Sequence, residues 1–223
     1  MLIGVFPDFA QAQSVCSSDG QTPPQRLVER FTDADCQTCW GSPATQAWNK
    51  GELAIDWIVP SAQGEDAALS AAASRDAFER LQNHKRTLKD SRLTVRSPAG
   101  KHALRVARGF ALNGYMGASI ELKLPKTSPL RQQTLTAWLL LVQEIPAGAE
   151  GSPIARLLVR NVLVTHWKPS RTSDATPQRL LEARPMSLPD GSNAEQIRVV
   201  GWVQNAQHQI IALAASQCTD KPG

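Results

Sequence analysis

Cys36 and Cys39 form a C-x-x-C within F-T-D-A-D-C-Q-T-C-W (Phe31–Trp40), directly after a short apolar run. A cysteine at the first turn of a helix faces unpaired backbone N–H groups and the positive end of the dipole, which favours its thiolate. A second cysteine three residues on resolves the mixed disulfide, so such a pair cycles between dithiol and disulfide. In that role Cys36 is the catalytic nucleophile, Cys39 the catalytic resolving thiol, and Trp40 shapes access. Asp33 and Asp35 act the other way, because negative charge beside Cys36 disfavours a thiolate. The same residues therefore support a second role, a static disulfide pinning a strand to the helix that follows it.

The chain holds four cysteines, Cys16, Cys36, Cys39 and Cys218, which can pair three ways in an oxidising compartment. Local closure of Cys36 with Cys39 leaves Cys16 and Cys218 to join the chain ends as a structural disulfide; the alternative is two free thiols on the tails. One C-x-x-C offers two soft ligands, enough for Cu(I) but not for structural zinc. His84, His102, His166 and His208 show no ligand spacing to one another or to the cysteines, so no metal site is expected. Dinucleotide-binding, phosphate-loop, nucleophile-elbow and H-E-x-x-H motifs are all missing, and no cofactor is expected. Glu65 and Asp66 suit capping of a helix N-terminus rather than catalysis.

The elements around the C-x-x-C follow from hydrophobic patterning. R-L-V-E-R-F-T (Arg26–Thr32) and L-A-I-D-W-I-V-P (Leu53–Pro60) have the look of short buried strands. Between them a helix is expected to open near Cys36 and stop by Gly51. The Ala-rich stretch Glu65–Asp90 predicts a long helix with Ala68, Leu69, Ala72, Ala73, Phe78 and Leu81 on one face. This βαβα order implies a small parallel sheet. From Ser91 onward apolar runs alternate with turn-rich breaks such as SPAG, NGYMG and LPDGSN, as in consecutive antiparallel strands of a sandwich or curled sheet. Trp138, Trp167 and Trp202 are expected between sheet layers.

The stretch L-V-E-R-F-T-D-A-D-C-Q-T-C-W (Leu27–Trp40) resembles the strand-to-helix turn of thioredoxin-like proteins. More narrowly it is similar to a secreted bacterial thioredoxin-like family of unknown function, which carries a V-E-L-[FY]-T-S-x-G-C-x-x-C-like turn followed by a β-rich C-terminal part. The ending I-R-V-V-G-W-V-Q-N-A-Q-H-Q-I-I-A-L-A-A-S resembles that family's final hairpin, and Cys36 and Cys39 match its cysteine pair. Trp40 stands where the family has a small residue or proline. The resemblance implies a cis-proline opposite the pair, for which Pro98 and Pro60 are the candidates.

The expected fold is thus α/β plus β, a small thioredoxin-like unit packed on an antiparallel β-sandwich-like region. Residues 1–23 are expected to form a signal-peptide remnant and N-terminal arm, 24–90 the thioredoxin-like unit, 91–218 the antiparallel region and 219–223 a tail. Ala10 and Ala12 have the small-x-small spacing of a signal-peptidase site, with cleavage before Gln13; two readings are expected, the tail of a signal peptide whose true start lies upstream or a disordered N-terminal arm. Export to the periplasm or beyond follows from that signal and the even cysteine count. No apolar run nears the roughly 20 residues that span a bilayer. The net charge of +4 lacks the Lys/Arg clusters interleaved with aromatics that nucleic acids require. The expected partners are protein thiols or disulfides; the alternative is a non-catalytic envelope module that binds a protein and uses its disulfides for stability.

Overall fold

Two strands with most of their side chains buried set the frame: β2 (Arg26–Asp33) and β3 (Glu52–Val59). Consecutive buried residues, as at Leu27–Glu29 and Leu53–Val59, suit parallel strands covered on both faces. They pair in parallel, from Arg26 opposite Glu52 to Asp33 opposite Val59. The computed structural model describes residues 16–43, 49–168 and 177–218. The expected cleavage site at Ala10–Gln13, the interior of the Lys168–Gln178 loop and the 219–223 tail lie outside the described residues.

The remaining strands are β1 (Cys16–Ser17), β4 (Arg92–Pro98), β5 (Leu104–Leu112), β6 (Tyr115–Leu124), β7 (Leu135–Ile145), β8 (Arg156–Trp167), β9 (Gln178–Ser187), β10 (Ile197–Gln204), β11 (Ile210–Ala215) and β12 (Gln217–Cys218). A five-stranded sheet runs β12-β1-β5-β6-β9, and a seven-stranded sheet runs β11-β10-β7-β8-β3-β2-β4. In the larger sheet β4 is antiparallel to β2, and β3 meets β8 in parallel at Asp56 and Leu158. Ala99, just past β4, bridges in parallel to Ile210 at the start of β11, so the two edges of the larger sheet meet there. Gly100 fits that junction because a Cβ on it would lie 2.4 Å from the Ile211 carbonyl oxygen.

Burial follows this geometry. One core lies between the sheets, with Met116, Ile120 and Leu122 of β6 against Leu139, Leu141 and Val199 of the larger sheet. A second lies within the curl of the larger sheet and holds Phe31, Trp57, Leu140, Trp138 and Trp202. Trp138 and Trp202 stack with centroids 5.4 Å apart, while Trp167 belongs to the inter-sheet core. A third, smaller cluster gathers Trp40, Ala34, Ile58, Ala67, Ile145 and Leu158.

This architecture corrects the expected α/β plus β fold: a separate thioredoxin-like unit is not present, and the protein is a β-rich sandwich of two sheets. The parallel β2–β3 pair is real, but its sheet continues through β8, β7, β10 and β11 instead of closing around helices. Among the described residues the helix after Cys36 is a single turn, α1 (Gln37–Trp40), and positions 44–48 of the expected helix lie outside them. The long helix expected over Glu65–Asp90 is also replaced. Two 3₁₀ turns, Gly64–Asp66 and Ser70–Ala72, precede a nine-residue helix, α2 (Arg75–Asn83). Tertiary contacts override alanine's helix propensity here. Leu69 N–H donates to the Ala34 carbonyl (2.9 Å) and Ser74 N–H to the Ile58 carbonyl (3.2 Å), laying the segment along the end of the sheet. Helix then begins where Ser74 caps it, its Oγ accepting from Ala77 N–H at 3.1 Å. That start sets the phase: Ala77, Arg80 and Leu81 turn inward, and Phe78, expected on the apolar face, is exposed.

Candidate functional site

The end of β2, the single turn α1 and the tip of the β4 approach place Cys36 and Cys39. β2 ends at Asp33, whose side chain accepts from Asp35 N–H (3.0 Å) and whose carbonyl accepts from Cys36 N–H (3.0 Å). That side-chain-to-backbone turn breaks the strand and aims Cys36 as the N-cap residue of α1. Cys36 and Cys39 are joined in a disulfide. Both cysteines are half-buried. Cys36 Sγ accepts from Cys39 N–H at 3.2 Å and lies 3.5 Å from Thr38 Oγ1; Cys39 Sγ lies 3.9 Å from the Asp90 carbonyl oxygen.

The surroundings of this pair are acidic and already structured. Asp35 Oδ1 accepts from Ser61 Oγ at 2.5 Å, which ties the turn to the exit of β3. Asp90 and Ser91 form the two-residue hairpin between Lys89 and Arg92, and both hold positive φ, 50° and 58°. Ser91 also binds β2, its carbonyl accepting from Asp33 N–H at 3.0 Å. Among the described residues, no hydrogen bond of either sulfur is to a cationic side chain.

The proline candidates lie apart from each other. Pro98 ends β4 opposite Arg26, at the start of β2, so the length of that strand, about 23 Å for seven steps, separates it from the disulfide. Pro60 follows β3 directly, beside the hydrogen bond from Ala34 N–H to the Val59 carbonyl. All peptide bonds among the described residues are trans.

Cys16 and Cys218 are joined in a second disulfide and are register partners in β1 and β12. Cys16 is buried and Cys218 half-buried. His102 contacts the Ile211 carbonyl through Nδ1 (3.2 Å) and His166 contacts Thr136 Oγ1 (3.2 Å). No group of three or more His, Cys, Asp or Glu side chains able to hold a metal occurs among the described residues.

Two buried charge networks escaped sequence reasoning. Trp40 is held behind the C-x-x-C by its Nε1–H donating to the Glu150 carbonyl (2.8 Å). The Arg156 guanidinium lies over its ring at 4.3 Å and donates to its carbonyl at 2.8 Å. Arg156 also donates to Asp56 Oδ1 (2.8 Å), and Arg30 pairs with the other oxygen of Asp56. Burial pulls the Arg156 guanidinium below its ordinary value, with Asp56 opposing that pull. Trp40 thus packs as a core residue.

The second network is Glu29, Arg80 and His84. Arg80 grips Glu29 through two bonds of 2.7 and 2.8 Å, and His84 Nε2 lies 2.9 Å from Glu29 Oε2. Arg80 also sits 4.7 Å from the Trp138 centroid and 5.1 Å from that of Trp202. Burial by itself would raise the Glu29 carboxyl, but the charge and hydrogen bonds of Arg80, with His84, hold it at about 2. These partners lie 51 and 55 residues apart, so no local spacing announces them. The only sequence signal was Glu29 itself, a charge inside an apolar strand.

The fold and site define a β-rich, two-sheet protein with two disulfides. No family model and no curated protein matches the chain. A solved bacterial structure, HBP35 of Porphyromonas gingivalis, is similar at 12% identity and a TM-score of 0.49, over 91% of this chain and 77% of that one. No helix among the described residues is long and apolar enough to cross a membrane.

Proposed function

We propose that this chain is an exported, non-catalytic binding module of the cell envelope that contacts a protein partner through its β region. The supporting observation is the tip of the β5–β6 hairpin. Phe110, Leu112 and Tyr115 are 64%, 73% and 54% exposed there, around the turn at Asn113 and Gly114. Leu112 and Tyr115 are direct cross-strand partners, so their side chains form one patch. Exposed aromatic and aliphatic groups grouped at a hairpin tip suit the core of a protein interface. Two disulfides suit an oxidising compartment. In this reading Cys36–Cys39 is a staple closing the turn at the end of β2, because the neighbouring Asp33 and Asp35 oppose the thiolate that the Cys39 N–H by itself would favour.

The test compares three immobilised forms of the full chain in envelope extract: the unaltered protein, F110S/L112S/Y115S, and C36S/C39S. The same partner is expected on the unaltered and cysteine-free forms and lost from the hairpin variant. Thiol–disulfide turnover that disappears with Cys36→Ser, with partner retention unaffected by the hairpin change, overturns the reading in favour of exchange at Cys36.

A further inference from the structure

The two sulfurs of the terminal disulfide meet different surroundings. Cys16 is 1% exposed. Cys218 forms part of the wall of an open cavity of about 390 Å³, with Pro24, Leu53, Leu157, Val200 and Arg198 among the other lining residues. Two guanidiniums point N–H groups at Cys218 Sγ: Arg198 from β10, and Arg108 from β5 at 3.4 Å. Arg108 is 6% exposed and otherwise donates to the Ile197 and Gly109 carbonyls, both at 3.1 Å. Among the described residues it has no carboxylate partner. Arg198 pairs with Glu144 at 2.8 Å. Two cations and one carboxylate therefore surround a neutral sulfur. Burial, and secondarily Arg198, lower the pKa of Arg108, as expected where a compensating anion is missing. A thiolate at Cys218 supplies that anion with charge-assisted hydrogen bonds, whereas among the described residues the Cys36–Cys39 sulfurs have no hydrogen bond from a cationic side chain.

We infer that Cys16–Cys218 is a thiol–disulfide exchange site, opened by a thiol reductant that enters the cavity beside Cys218. The incoming thiolate, drawn by Arg108 and Arg198, attacks Cys218 Sγ. The S–S bond to Cys16 breaks, Cys16 leaves and takes a proton, and a mixed disulfide forms on Cys218. The second thiol of the reductant, losing its proton to water, attacks its own sulfur in that mixed disulfide and expels Cys218 as a thiolate between the two guanidiniums. Two electrons pass from the dithiol, which ends as a disulfide, to the protein, which ends with a Cys16 thiol and a Cys218 thiolate. The reaction unlinks β1 from β12. It is independent of the hairpin interface.

The experiment equilibrates the full chain in graded dithiothreitol buffers and reads each disulfide separately by differential alkylation and mass spectrometry. Cys16–Cys218 is expected to open at lower reductant than Cys36–Cys39. Arg198→Gln is expected to shift its equilibrium toward the disulfide by about tenfold, the equivalent of one pKa unit on Cys218. Arg198→Lys is expected to restore most of that shift. In Cys16→Ser the alkylation rate of Cys218 against pH gives its thiolate directly, and Arg108→Gln and Arg198→Gln are each expected to move that profile upward. A merely structural arginine leaves the profile in place. Glutathione and a cysteine-bearing unfolded protein, used in turn, separate small thiols from protein thiols as substrate, and a mixed disulfide on Cys218 with either supports the site. Cys16–Cys218 proving the more resistant bond, or a Cys218 profile indifferent to both arginines, overturns it.

Discussion

Glu29 is a wholly buried carboxylate in the middle of β2, and its neighbours make it an asset. With Arg80 and His84 in place it stays ionised far below its ordinary range. Glu29→Gln keeps the shape, removes the charge and leaves the Arg80 guanidinium buried without its partner. A loss of about 3–5 kcal/mol at neutral pH is expected, measured by urea unfolding. The folded carboxyl titrates at about 2 and the free one near 4.5. Its stabilisation is therefore complete above about pH 4.5 and is lost as pH falls toward 2. The urea midpoint of the unaltered protein should drop over that window, and Glu29→Gln should flatten the drop. Cys36→Ser removes a loop closed over only three residues of separation, and loop entropy sets its cost at roughly 2 kcal/mol. Cys16→Ser opens a separation of 202 residues and should cost roughly 5 kcal/mol by the same relation.

At the scale of elements, the hairpin beneath the C-x-x-C holds two non-glycine residues at positive φ, a conformation that costs an L-residue about 1–2 kcal/mol. Ser91→Gly keeps the turn and removes that strain, so an unfolding free energy higher by about 1 kcal/mol is expected. Gly100→Ala acts the opposite way. Its Cβ would press on the Ile211 backbone where the sheet edges meet, and a loss of about 1–3 kcal/mol or more is expected in the same assay. Local patterning made the strands legible: the doubly buried β2 and β3, their parallel pairing, and the alternating run after Ser91. The Asn113–Gly114 hairpin was equally plain, since both residues need positive φ. The Glu65–Asp90 segment was not legible as it folds. Its alanines serve as small packing residues, Ala67 and Ala73 against the cluster around Ile58 and Trp40, and that use leaves no mark on periodicity.

Across the whole molecule, the βαβα order at the N-terminus pointed to a self-contained unit because local order carries no information about sheet extension. The continuation depends on β3 reaching β8 and on Ala99 reaching Ile210, contacts between residues about 100 positions apart. The Cys36–Cys39 and Cys16–Cys218 pairings were legible from spacing, but the charges around each sulfur were not, since Arg108 and Arg198 come from different sheets. On the proposed reading that contrast divides the roles: an acid-flanked staple at the end of β2, and a cation-flanked clasp between β1 and β12. The reduction potential of Cys36–Cys39, by equilibration in thiol buffers with trapping and mass spectrometry, tests this division most directly. A value below about −300 mV is expected for the staple. A value between about −120 and −270 mV, in the range of exchange catalysts, contradicts it and returns Cys36 to the role of nucleophile.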